Sequence, residues 1–275
     1  MQTDRLSRFA RAALAGTAAA LLAACASAPS TLPPDRIAAI VASPDRAEAD
    51  RVNDVRRKPA DMLAFIGIRP GITALDVSAA RGYTTELVAR AVGPTGKVYG
   101  QNPPPRNTNA PRPAQPEGAS APPAANTPPP MPNLAERVRN PALAHMIPVV
   151  RPFEDPAPPE VANGGLDLVT LMFNYHDFGH LGVDRAKMNQ AIFKALKPGG
   201  MYVIADHSGR PGTGITESGT LHRVEEAFVV KEVEAAGFKL AGKGDFMRNP
   251  NDPRDRNTPE PPMPKDEFVL KFVKP

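Results

Sequence analysis

The chain has 275 residues, 33 Lys and Arg against 29 Asp and Glu, and 34 prolines. That length can bury the core of one medium α/β domain, and a net charge of +4 is too small to point to nucleic acid. A single cysteine excludes an internal disulfide and a Cys-built zinc site, and no apolar run reaches the roughly 18–20 residues of a typical spanning helix.

The first 25 residues carry an export pattern. Arg5, Arg8 and Arg11 precede a small apolar run from Ala12 to Ala24, as in a secretory signal peptide. Residues 1–24 are therefore expected to be a signal peptide. The run ends Leu22-Ala23-Ala24-Cys25. This resembles the bacterial lipobox, whose cysteine is lipidated and becomes the mature N-terminus. The resemblance implies lipidation of Cys25, and contact with a membrane only through that lipid. Ala26 after the cysteine implies, by the rules of that family, the periplasmic face of the outer membrane. Residues 25–34 read as a lipidated, flexible tether, and 35–275 as the folded domain.

Residues 35–69 have helical spacing, with Ser43-Pro44-Asp45 as a helix start. Arg46, Arg51, Arg56, Arg57 and Lys58 make the segment basic. A solvated helix face laced with Asp and Glu accounts for this, and an arm over an anionic ligand is the alternative. Pro70-Gly71 breaks the pattern, and Ile72 to Val77 is a short apolar strand. Tyr83 to Val92 has helical spacing, and Lys97 to Asn102 is a second strand. Strand, helix and strand in about 30 residues make a βαβ unit.

Residues 103–132 differ in kind. Twelve of these 30 are proline, and the stretch lacks the apolar surface to offset its ordering, so a disordered or polyproline II insertion is expected. Regular patterns then return. Leu134–Val138 reads as a short helix and Met146–Val150 as a strand. Leu166–Phe173 (LDLVTLMF) has the near-continuous apolar run of a strand buried on both faces. Asp184–Leu196 reads as a helix closed by Lys197-Pro198-Gly199-Gly200. Met201–Ala205 is another buried strand, and Val224–Ala236 a helix ending at Gly237. Phe238–Gly242 and Phe268–Val273 complete the chain as a hairpin. The alternation implies an α/β fold with a mainly parallel sheet and helices on both faces.

In such sheets ligands sit beyond the carboxyl ends of the strands. That nominates Asp76 to Gly82, Gln101-Asn102, Phe153-Glu154, Asn174 to Asp177, and Asp206-His207-Ser208. Several phrases stand in a telling order: ALDVSAARGYTTELVARAVGPTGKVYG, LDLVTLMFNYHD, ALKPGGMYVIADHS and VEAAGF. Together they resemble the class I S-adenosylmethionine-dependent methyltransferases, over residues 55–274 apart from the insertion. SPDR, RKPADMLAF, NYHD and LHR resemble a group of bacterial predicted methyltransferases that carry export signals.

The resemblance implies a Rossmann-like, seven-stranded sheet with a C-terminal antiparallel hairpin. It implies S-adenosylmethionine as cofactor, held by Asp76, Ser78, Ala80, Gly82, Tyr83, Asn102, Phe153, Glu154 and Asn174, with capping of the core as the other reading of Phe153. Two departures stand out. Ser78 and Ala80 replace glycines whose freedom lets the backbone approach the cofactor. Asn102, or Gln101, replaces the usual carboxylate on the ribose, and an amide offers one acceptor oxygen where a carboxylate offers two.

His176, Asp177, Asp206 and His207 are the candidate catalytic residues. His176 or His207 would serve as base toward an O or N of a small-molecule substrate. Paired carboxylates at Asp177 and Asp206 suit magnesium, but His207 beside them does not. His176, His180, His207 and His222 suit a softer ion, yet their spacings match no tight motif, so no metal is expected. The loop at 209–219 lacks a phosphate-loop Lys-Ser pair, which excludes nucleotide hydrolysis. Ser208 lacks a nucleophile elbow, which excludes a serine hydrolase. S-adenosylmethionine is made in the cytoplasm, so an exported enzyme needs a supply of it. The alternative is a non-catalytic envelope lipoprotein that uses the same fold as a binding module.

Overall fold

The computed structural model describes residues 30–105, 131–257 and 263–275. The proposed signal peptide, the lipidation site at Cys25 and residues 106–130 of the insertion lie outside them. Among the described residues, no helix is long and apolar enough to cross a membrane.

Three helices come first: α1 (Pro34–Val41), α2 (Glu48–Arg57) and α3 (Pro59–Ile66). Then follow β1 (Thr73–Val77), α4 (Tyr83–Val92), β2 (Lys97–Asn102), α5 (Leu134–Arg137) and β3 (Met146–Val150). The second half holds β4 (Leu166–Met172), α6 (Asp177–His180), α7 (Arg185–Ala195), β5 (Leu196–His207), α8 (Glu226–Ala235), β6 (Lys239–Gly244) and β7 (Glu267–Val273). The strands form one sheet in the order β3-β2-β1-β4-β5-β7-β6. The first five are parallel, and β7 runs antiparallel to both β5 and β6. This is the expected Rossmann-like methyltransferase fold, with its C-terminal hairpin.

Alternation along the strands explains why the sheet is covered on both faces. Ala74 and Leu168 face one apolar cluster with Leu63, Ile66, Val88 and Val92. Leu75 and Val169 face the other, with Met188, Ile192 and Val233. At the edge, β3 pairs only with β2, and there Pro148 costs no ladder bond.

Four expectations change. The LKPGG segment does not close the α7 helix as a free turn but enters β5, because Gly199 and Gly200 exchange backbone bonds with Lys274 (2.8 and 2.9 Å). The last helix starts at Glu226, because Val224 bridges to Ser208 instead. Ser43-Pro44-Asp45 does not start a helix: the Ser43 hydroxyl donates back to the Ala39 carbonyl oxygen (3.1 Å) and α2 begins only at Glu48.

The fourth change concerns the basic N-terminal segment, which is a solvated face only in part: Arg56 and Lys58 are exposed. Arg46 and Asp50 are buried at 4% and 1% exposure. Arg46 chelates Asp54 with two 2.8 Å bonds. Arg137, from α5, holds Asp50 (2.6 and 2.9 Å), Glu86 and the Arg81 carbonyl oxygen (2.7 Å). These pairs staple α2 to α4 and α5. Left-handed backbone at Lys58 (φ 42°) then turns the chain from α2 into α3.

Candidate functional site

The carboxyl ends of β1, β2, β4 and β5 meet under α2. On the first side, Ser78 (φ 57°), Ala80 (φ 50°) and Gly82 (φ 86°) all take the left-handed backbone conformation. Serine and alanine are strained there, by about 1–2 kcal/mol each. At Gly82 a side chain is excluded twice over: by φ, and by Leu134 Cδ2 lying 2.6 Å from where Cβ would be. The loop therefore keeps its shape although two of the glycines expected there are replaced.

Two amides secure that shape. Gln101 is fully buried. Its Oε1 accepts from the Ser78 amide (2.9 Å) and its Nε2 donates to the Arg151 carbonyl oxygen (2.6 Å). Asn102 accepts from the Ala80 amide (2.8 Å) and donates to the Ala80 carbonyl oxygen (3.0 Å). The Asn102 side chain thus lies on the loop itself. Asp76 does not face the cleft. Its carboxylate accepts from Thr85 (2.6 Å) and Thr170 (2.7 Å), joining β1 to α4 and β4. Burial raises its pKa to about 6, against the pull of those two hydroxyls. Asp76 thus ties the start of the loop to α4 and β4.

Tyr83 donates to Asp54 (2.6 Å), and the Arg57 guanidinium lies 5.5 Å from its ring centre. Arg57 also sits 4.4 Å over the Phe173 ring, a cation–π arrangement. Burial, and then Arg56, lower its pKa to about 10. Phe153 and Glu154 are placed differently from the expectation. Phe153 is buried with its ring 4.6 Å from Phe178 in the core. Glu154 accepts from the Asp184 amide (3.3 Å) at the start of α7. Core packing and a helix start hold this pair, not the cofactor side of the cleft.

On the second side, left-handed backbone recurs at Phe173 (φ 59°) and His222 (φ 50°). Such strain in bulky residues gathers at functional sites. Beyond Phe173, polar groups converge. Ser78 Oγ donates to Asn174 Oδ1 (2.5 Å), and Asn174 Nδ2 donates to Asp177 Oδ2 (2.9 Å), linking the two sides. The other oxygen, Asp177 Oδ1, lies 3.1 Å from His176 Nε2 and 2.9 Å from His222 Nδ1. His176 Nδ1 is 2.6 Å from Asp206 Oδ1, and the His176 amide donates to Asp206 Oδ2 (2.7 Å). Ser218 receives the His180 amide (2.9 Å) and donates to the His176 carbonyl oxygen.

Burial opposes a charge on His176, but Asp206 and Asp177 outweigh it and raise its pKa to about 9. Burial would raise Asp177, yet the two histidines hold it down at about 2. His207 has the reverse fate: burial lowers it to about 3, so it stays uncharged. Its Nδ1 lies 3.0 Å from Glu267 Oε1, without the alignment of a hydrogen bond.

The fold thus brings Ser78, Ala80, Gly82, Asn102 and Asn174 to the same end of the sheet as His176, Asp177, Asp206 and His207. It turns Phe153 and Glu154 away and puts Asp76 behind the loop. Gln101 and His222 emerge as residues the sequence understated. Thr170 does too, and the cue for it was present: with Asp167, it is one of two polar residues inside the apolar run of β4.

No protein-family model matches the sequence, and no curated protein does. Solved structures are similar to it in shape. One is a SAM-dependent methyltransferase from Aquifex aeolicus, with 16% identity, a TM-score of 0.53, and coverage of 89% of this chain and 100% of that one. Another is an arsenic(III) S-adenosylmethionine methyltransferase from Chlamydomonas reinhardtii, with 14% identity, a TM-score of 0.53, and coverage of 88% and 74%. At these identities the likeness is one of fold.

Proposed function

We infer that the chain binds S-adenosylmethionine and transfers its methyl group to an oxygen or nitrogen of a small molecule. One observation carries this reading. The loop after β1 holds Ser78 and Ala80 in left-handed backbone, which glycine alone adopts freely. A chain with no ligand to admit has no reason to keep that strain. The residues fit the cofactor in this sense: the loop from Ser78 to Gly82 and Asn174 would hold it, and Asn102 would supply the acceptor for its ribose. The bound cofactor supplies the methyl group as a sulfonium. The chain aligns the acceptor with it and excludes water under α2, where Arg57 covers Phe173.

His176 is held between two carboxylates, so it serves as a fixed charge and not as the base. His207, beside it with ring centres 5.3 Å apart, is kept uncharged by burial and resists taking up a proton, so neither histidine is the base and the methylated product gives its proton to bulk water. Calorimetric titration with S-adenosylmethionine tests the reading. Saturable binding, displaced by S-adenosylhomocysteine, is expected. A folded sample that gives no binding at millimolar cofactor overturns it.

A second reading has its own support. Gln101 and Asn102 already satisfy the loop's amides, as they should in a binding module that has given up the cofactor. We also propose export and lipidation at Cys25, on the sequence pattern alone, with the periplasmic face of the outer membrane as destination. Metabolic labelling with palmitate should mark the chain, and Cys25→Ser should abolish the label.

A further inference from the structure

The converging side chains at the β4 and β5 ends have a use that methyl transfer does not require. His176 Nε2, Asp177 Oδ1 and His222 Nδ1 lie within 4.8 Å of one another. The two nitrogens stand 3.1 and 2.9 Å from the one carboxylate oxygen. Ligands around a tetrahedral zinc with bonds near 2.0–2.1 Å are about 3.3 Å apart. The two nitrogens therefore need to move from the shared oxygen by only a few tenths of an ångström to take an ion between them.

We propose that His176, Asp177 and His222 form a site for a divalent first-row transition ion such as zinc. The surrounding groups are those a metal centre needs. Asp206 grips the far nitrogen of His176 at 2.6 Å, which is how a carboxylate fixes a metal-bound imidazole; the ion takes the place of the Nε2 proton that makes His176 a fixed charge without it. Asn174 holds the second oxygen of Asp177 at 2.9 Å, leaving the first for the ion. Left-handed backbone at His222 fixes the third ligand. Two imidazoles and a carboxylate favour zinc or a neighbouring ion over magnesium, which takes oxygen ligands. His176 is buried, but the side chains of Asp177 and His222 are 24% and 39% exposed. The ion's remaining positions thus open to the cleft, as in catalytic and not structural sites.

The site does not depend on the methyl-transfer reading. The untagged full chain, stripped with chelator, is titrated with zinc chloride by calorimetry, and the bound metal is counted by elemental analysis. One zinc per chain is expected, weaker by about tenfold or more in both His222→Ala and Asp177→Asn. His145→Ala, at the opposite end of the sheet before β3, should bind as the parent does. Cobalt(II) should give a visible absorption band in the parent that is lost in His222→Ala. Absence of zinc binding, or binding indifferent to both ligand substitutions, overturns the proposal. Near-ultraviolet circular dichroism of His222→Ala, whose side chain is partly exposed, distinguishes lost ligation from lost folding. S-adenosylmethionine titrations of the same samples separate the two readings: zinc bound without cofactor refutes methyl transfer alone, and cofactor bound without zinc refutes the metal alone.

Discussion

The loop after β1 and the histidine rim after β4 stand at the same end of one sheet, yet they settle their polar groups in opposite ways. On the loop, backbone amides meet neutral side-chain oxygens: Gln101 for Ser78 and Asn102 for Ala80. No charge faces another there. On the rim, His176 lies between Asp177 and Asp206, with His222 also on Asp177. Both sides keep strained backbone, but only the rim concentrates charge in a partly buried place, where it costs most. The loop is stable as it stands and must loosen to admit a ligand. Perturbed ionisation at a cleft marks function more often than packing.

The largest disturbance removes the roof common to both sides. Arg137 is fully enclosed by Asp50 and Glu86, and replacing one member of a buried ion cluster costs about 3–5 kcal/mol. Arg137→Met should therefore lower the urea midpoint steeply and release α2 from both sides at once. Loss of S-adenosylmethionine binding should accompany it. A variant of unchanged stability would mean that α2 is held by its apolar contacts alone.

Next comes the charge behind the loop. The fold raises Asp76 to about 6, so it favours the neutral carboxyl. A raised group gives stability that is full below the ordinary carboxyl value near 4 and is lost as pH rises through about 6. The loss is about 3 kcal/mol between those limits. Asp76→Asn carries no such dependence. The stability difference between variant and parent should thus shift toward the variant from pH 4 to pH 7, by that order, in urea unfolding. A constant difference would place the Asp76 carboxylate in a more polar setting than Thr85 and Thr170 provide.

The two sides also differ in how far the sequence disclosed them. Sheet and loop were legible because their signals are local. The bounds of α4, β2 and β3 follow from periodicity and breakers, and the apolar run at Leu166 announces a strand covered on both faces. The rim and the roof depend on distance in sequence. His222 meets Asp177 across 45 residues, and Arg137 meets Asp50 across 87. No spacing rule reaches that far, so a basic segment looked like a solvated face and four histidines looked scattered. Phe153 stayed open for another reason: residues after a strand can turn outward or back to the core, and its packing on Phe178 favours the core.

Asn102 sharpens the comparison on the ligand itself. Its amide now closes on Ala80. Asn102→Asp keeps the oxygen that accepts from the Ala80 amide and offers the ribose a charged acceptor. A charge-assisted bond is worth about 1.5–3 kcal/mol, so S-adenosylmethionine should bind about ten- to a hundredfold more tightly. Weaker binding in the variant would show that the loop needs the Asn102 amide donor more than the cofactor needs a carboxylate.

The smallest effect isolates the strain of the loop from everything that touches it. Ala80 is exposed and its side chain is a single methyl, so Ala80→Gly changes little but the backbone. Relief of left-handed strain contributes about 1–2 kcal/mol, and the added freedom of the unfolded chain takes back about 0.4–1 kcal/mol. The variant should be more stable by about 0.5–1 kcal/mol, read as a higher urea midpoint at unchanged slope. The Asn102 bonds survive, because they involve the Ala80 backbone. A loss of stability would mean that the loop leaves the left-handed region in solution. The Ser78 and Ala80 conformations would then cease to argue for a cofactor, and the loop would become the relaxed counterpart of the rim.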